Sequence, residues 1–158
     1  METKATHGFK IEAGKDRFNE KISFLGGTFE CKVSANDSRE GFCVYDTTQT
    51  GKDGPPFHFH YMQDEWFYIL EGEFVFKIGD DIFSAKAGDA VFAPRQIPHT
   101  FSRISEENGR LLMLYQPAGT MDEFYLQASQ LPNGTWRDFE KLYRSHGMEI
   151  VGPPLKFD

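Results

Sequence analysis

A chain of 158 residues is enough for one domain, which at this size buries roughly 68–70% of the surface its unfolded form exposes and needs no disulfide staple. Its formal charge of −7 argues against a surface that tracks nucleic-acid phosphates, and no uncharged run is long enough to cross a bilayer. Sixteen Phe, six Tyr and two Trp make up 15% of the chain, which suits strands and a large-side-chain interior rather than disorder or a helical bundle.

In chain order, Met1 to Gly8 lacks the apolar segment of a signal peptide, which predicts a cytoplasmic protein. Glu12 to Leu25 is charged and reads as irregular, and Gly26-Gly27 turns into a strand over Thr28 to Ser34. After Asn36-Asp37-Ser38, Gly41 to Thr48 is β-branched and aromatic and predicts another strand. Cys31 and Cys43 fall in these two strands and are expected to be buried thiols rather than a bridge.

The loop Gly51 to Pro56 leads into Phe57-His58-Phe59-His60. Two residues apart on a strand, His58 and His60 point to the same face. Glu65 lies at an odd offset from His60, so sharing that face requires a bend through Tyr61-Met62-Gln63-Asp64. From Glu65 to Leu70 the chain is apolar on both faces, which places Phe67 and Ile69 on the inward side with Glu65 and requires cover for Trp66, Tyr68 and Leu70 as well. Phe74, Phe76 and Ile78 share one face of the next strand, and Gly79-Asp80 makes a tight hairpin into Ile82 to Lys86.

Gly88-Asp89 turns into Ala90 to Ala93, and the stiff segment Pro94 to Pro98 aims His99 at a fixed point. Strands follow over Thr100 to Ile104 and Arg110 to Gln116. Thr120-Met121-Asp122-Glu123 has the capping-box pattern and predicts a helix over Asp122 to Ala128. Thr135-Trp136-Arg137-Asp138 repeats the pattern before a helix from Trp136 to about His146, with Phe139, Leu142 and Tyr143 as its apolar stripe and Gly147 as its stop. Pro153-Pro154 predicts an extended end, and His7 and His146 read as surface residues.

Three imidazoles and one carboxylate, from His58, His60, Glu65 and His99, are thus expected to converge. Zinc, iron, nickel, cobalt, copper and manganese all accept neutral imidazole and carboxylate, and such a set leaves positions open for chemistry. The alternative for the histidine pair alone is a strand surface with a solvated Glu65.

The spacing of the whole set resembles the cupin family. His58, His60, Glu65 and Gly72 fall on four fixed positions of its first motif, while Lys52 stands where the leading glycine belongs, flanked by Gly51 and Gly54. Gly88, Pro94 and His99 match the second motif, with Gln96 in place of its second glycine and Arg103 in place of its asparagine. The resemblance implies an all-β fold, a double-stranded β-helix jelly roll with short C-terminal helices. It would occupy residues 1–158 as a single cupin domain, with a barrel core over about 28–117 and a helical segment over about 120–147. It also implies one divalent transition metal held by His58, His60, Glu65 and His99, and an interior lined by Phe67, Phe74, Phe76 and Phe101.

Length and the stretch Pro55 to Phe101 look most like the quercetin-dioxygenase-like single-domain cupins. This implies a dioxygenase acting on an aromatic or enolic small molecule with dioxygen, with Glu65 as ligand and base. Two other readings stay open: an isomerase or lyase acting on a sugar or sugar phosphate, with Arg95, Arg103 and Lys77 as the nearby cations, and a small-ligand binding module without catalysis. Arg103 has two readings, a partner for Glu65, Glu73 or a substrate carboxylate, or a strand arginine in solvent. No nucleic-acid or membrane partner is expected, and the two-sided apolar strand together with family habit suggests a homodimer.

Overall fold

Alternation along the chain settles most of the architecture. In β5, Asp64–Glu71, the residues Glu65, Phe67 and Ile69 are buried and their neighbours are not, as the period of two requires of a strand packed on one side. The structure, a computed structural model, describes residues 5–131 and 133–156. Among the described residues, eleven strands and two helices are formed. β1 (Ile22–Phe24), β2 (Gly27–Val33), β3 (Cys43–Gln49), β10 (Gly109–Gln116), β5 and β8 (Ala90–Ala93) make a six-stranded sheet in the order β1-β2-β3-β10-β5-β8. β11 (Met148–Gly152), β4 (Phe57–His60), β9 (His99–Arg103), β6 (Glu73–Ile78) and β7 (Asp81–Lys86) make a five-stranded one in the order β11-β4-β9-β6-β7. All pairings are antiparallel, and the chain crosses repeatedly between the two leaves. The fold is a mostly β jelly roll with two short helices.

One core fills the space between the leaves. Phe67, Phe74, Phe76 and Phe101 pack with ring centroids 5.1 to 6.4 Å apart, and truncating one such ring to alanine costs about 3–5 kcal/mol. Cys31 and Cys43 are buried free thiols on neighbouring strands. Gly79, at φ 57°, makes the two-residue turn between β6 and β7. Among the described residues no helix is long and apolar enough to cross a membrane.

Three sequence expectations are corrected, and one strand was not foreseen. Glu12 to Leu25 is not wholly irregular, because Ile22–Phe24 pairs with β2 as β1. The segment before Pro153 is β11, which pairs with the histidine strand β4. Helix α1 spans Met121–Ser129 as expected, but Thr120 makes no capping bond: its backbone lies outside the extended region (φ −110°, ψ 33°), and its hydroxyl bonds His146 Nδ1 at 2.6 Å. Helix α2, Trp136–Ser145, has the complete Thr135–Asp138 capping box. Arg103 is neither in solvent nor paired with Glu65 or Glu73. It is buried, and its guanidinium donates to the carbonyls of Thr50 (2.9 Å), Gly51 (3.4 Å), Ser105, Glu106 (3.3 Å) and Glu107 (2.9 Å), tying two loops to β9.

Candidate metal centre

The site is assembled across both leaves. β4 supplies His58 and His60, and β9 supplies His99, which sits directly opposite His58 in the ladder. The chain then leaves β4 through Tyr61-Met62-Gln63 and re-enters the other sheet as β5, so Glu65 faces inward from the opposite leaf. The bend required by the odd spacing is therefore a change of sheet. Two departures from the motif have structural counterparts. A Cβ on Gly54 would lie 1.7 Å from the Phe101 carbonyl oxygen, so Gly54 is the flanking glycine that close approach to β9 demands. Gln96 takes a left-handed conformation (φ 69°) with its N–H donated to the His60 carbonyl at 2.7 Å, a geometry that costs a non-glycine residue about 1–2 kcal/mol.

All four side chains are 2 to 6% exposed, and their ligand atoms lie within 4.8 Å of one another. The ring nitrogens facing away from the cluster have definite roles. His58 Nδ1 lies 2.7 Å from the Pro56 carbonyl, which can only accept, so Nδ1 carries the proton and Nε2 presents a lone pair. For His60 the same conclusion comes from Gln63. The Gln63 amide nitrogen donates to the carbonyls of Pro117 (2.7 Å) and Ala118 (2.9 Å), which turns its oxygen toward His60 Nδ1 at 2.6 Å. His99 Nδ1 faces the Ile97 carbonyl at 3.4 Å and its Nε2 lies 2.8 Å from Glu65 Oε2.

His60 Nε2 is buried, lies 3.3 Å from the same carboxylate oxygen without forming a hydrogen bond, and has no other partner among the described residues. An orphaned buried imidazole lone pair beside a carboxylate is what a cation would satisfy, so the donor set fits a divalent metal ion. Burial works to raise the Glu65 carboxyl, but the His60 and His99 imidazoles beside it outweigh burial and hold it well below the usual carboxylate range. Burial first, and then the neighbouring His99 and His60 rings, hold the His58 imidazole well below its ordinary value. Both groups thus favour the forms that bind metal.

The cluster forms the polar floor of a chamber of about 40 Å³, room for roughly two or three water-sized spheres. Of the four phenylalanines expected to line it, only Phe101 does. Phe67, Phe74 and Phe76 are packed core, because alternation gives the face of a strand but not the height along the barrel. The roof comes from the C-terminal region: Met121, Phe124 and Tyr125 of α1, Tyr143 of α2 and Met148 of β11. The Tyr115 and Tyr125 hydroxyls bond to each other. The Tyr143 ring stands edge-on to His58 at 5.3 Å. Burial, with the charge of Glu65, keeps its hydroxyl protonated by pushing its pKa up. Gln63 and Tyr143 were not read from the sequence as site residues. The first was visible only as the uncharged polar residue in the predicted bend, the second only as part of an apolar stripe.

The family profile described as Cupin domain matches residues 44–115, which hold all four clustered side chains. Those residues form a cupin domain. The chain is 32% identical over 60 residues to an uncharacterized protein of Methanocaldococcus jannaschii, a match covering 38% of this chain and 48% of that one; the chain thus matches about half the length of this relative. Solved structures share the fold at low identity. KdgF from a Halomonas species superposes with a TM-score of 0.60 at 16% identity, covering 71% of this chain and 94% of that one. A predicted oxalate decarboxylase from Thermotoga maritima gives 0.57 at 22%, covering 62% and 90%. Pac13, a nucleoside dehydratase, gives 0.56 at 15%, covering 71% and 84%.

Proposed function

We propose that this cupin is a metal-dependent enzyme of dioxygenase type acting on a compact enolic substrate, with His58, His60, Glu65 and His99 as the metal ligands. The observation that carries the reading is the convergence of the His58 and His60 lone pairs, each oriented from behind, with the Glu65 carboxylate in a buried chamber that has no lysine or arginine among its described lining residues. A bound divalent ion would supply Lewis acidity toward a chelated oxygen and, if redox-active, one-electron chemistry with dioxygen. The chain's own contribution is to orient the imidazoles, exclude water with the α1–α2 roof, and offer the ionised Glu65 as acceptor for a substrate hydroxyl proton.

The chamber favours the enolic over the aromatic expectation, since about 40 Å³ is far below the roughly 300–1,000 Å³ of sites for drug-sized molecules. A sugar-phosphate isomerase or lyase is less well supported. Arg103 is engaged with loop carbonyls, Arg95 with Asp64, and Lys77 lies over the Phe57 ring. The buried free thiols support a reducing, cytoplasmic setting. The outer face of the six-stranded sheet, where Trp66, Tyr68 and Phe92 lie together, supports a homodimer.

Elemental analysis of wild type, His58→Ala and His99→Ala should find about one metal per chain in the first and little in the variants. Oxygen uptake should then follow mixing of iron-, manganese- or nickel-loaded protein with small enediols. Equal metal in all three proteins would remove the metal centre; ligand-induced melting shifts without oxygen uptake would make this a binding module.

A further inference from the structure

Tyr143 is the polar side chain of the roof that the description of the metal cluster does not employ. α2 holds it by local means: the Thr135–Asp138 capping box starts the helix and Gly147, at φ 76°, follows its C-cap His146. Its ring is gripped on two sides, edge-on to His58 at 5.3 Å and edge-on to Phe124 at 5.1 Å, so the direction of its hydroxyl is fixed. Three tyrosines line the chamber. Tyr115 and Tyr125 satisfy each other, and the lining amide of Gln49 donates to Thr47. The Tyr143 hydroxyl has no hydrogen-bond partner among the described residues, and the fully enclosed unpartnered side-chain atoms there are Asn36 Nδ2 and His60 Nε2. Its hydroxyl is therefore not sealed into apolar packing, and the residue that carries it lines the chamber.

A buried tyrosine hydroxyl normally finds a partner. Here the space beside it is where a ligand of the cluster would sit. We infer that the Tyr143 hydroxyl donates a hydrogen bond to an ionised oxygen of the small chelating ligand bound at the His58, His60, Glu65 and His99 cluster, making it the residue through which the helical segment selects that ligand. The inference rests on the metal-centre reading and adds the substrate class: a compact chelate of a few heavy atoms bearing an oxyanion. Larger flat molecules meet the Tyr143, Phe124 and Met121 roof, and a neutral ligand oxygen accepts a weaker hydrogen bond from the hydroxyl than an oxyanion does.

Acetohydroxamate, a small chelate with an ionised oxygen, tests this on the cobalt-loaded protein through the visible spectrum of the ion. Tyr143→Phe keeps the ring that stands edge-on to His58 and removes a hydroxyl with no partner among the described residues, so its melting temperature and cobalt content should match wild type. Acetohydroxamate should bind the variant at least fivefold more weakly. Equal affinity in the two proteins, or no hydroxamate binding by the loaded wild type, overturns the inference while leaving the metal centre intact. Failure of the wild type to take up cobalt, read before any hydroxamate is added, instead overturns the metal-centre reading and this inference with it.

Discussion

Gln63 decides the orientation of His60 without being a ligand itself. Its amide is locked by two carbonyls, so its oxygen can only receive the His60 Nδ1 proton. Replacing such an orienting group typically lowers metal affinity about 10–100-fold. Gln63→Ala should do so in a chelator-competition titration while stoichiometry at saturating metal stays near one; a loss below about threefold would show that the orientation is immaterial. His58 gives a pH dependence of definite sign. Its imidazole is held well below the ordinary value, so the unfolded chain binds this proton more readily than the folded one. The stability it contributes is complete above about pH 6.5 and is lost as pH falls below that value. Metal-stripped protein should melt lower at about pH 5.5 than at about pH 7.5, and zinc should protect more at the higher pH because protons compete for the same nitrogens. Equal melting temperatures at the two pH values would contradict this.

At the scale of elements, Arg103 shows how β9 is anchored at the end away from His99. One guanidinium meets carbonyls from both the 50–51 and 105–107 loops. Arg103→Met should lower the urea-unfolding free energy by about 2–3 kcal/mol, since the charge-assisted bonds of a buried guanidinium to several loop carbonyls are lost at once. Lysine should rescue little, lacking the planar fork. Metal content should be unchanged, and its loss would mean that the loops position the site directly. The elements differ in how readable they were. Alternation made β4, β5 and β6 legible, and the stiff Pro94–Pro98 segment marked the start of β9, whose five residues are all buried; together they gave the four clustered side chains. β11 was not, because its five residues run into Pro153-Pro154 and its partner β4 lies far back in the chain. Thr120 kept its capping pattern in sequence but turned its hydroxyl to His146, a contact that exists only once α1 and α2 are packed together. The same packing makes the chamber's roof, which is why alternation alone misassigned its lining.

For the whole molecule, the outward face of the six-stranded sheet carries the proposal of a homodimer. Trp66 and Tyr68 stack at 5.8 Å, and Trp66 sits opposite Phe92, which is 55% exposed. An apolar face of this kind on a chain carrying charge −7 favours a second copy of itself over a nucleic-acid partner. Light scattering should give a mass twice that of the chain, and Phe92→Lys should halve it without lowering metal content. A wild-type monomer at high concentration would remove the homodimer.

Because three of the clustered side chains hang from one leaf and the fourth from the other, an ion held there would rivet the two halves of the jelly roll. Backbone amides on β4 and on β5, though in different sheets, should then slow their exchange with solvent together when the rivet is seated, and quicken together when a chelator withdraws it.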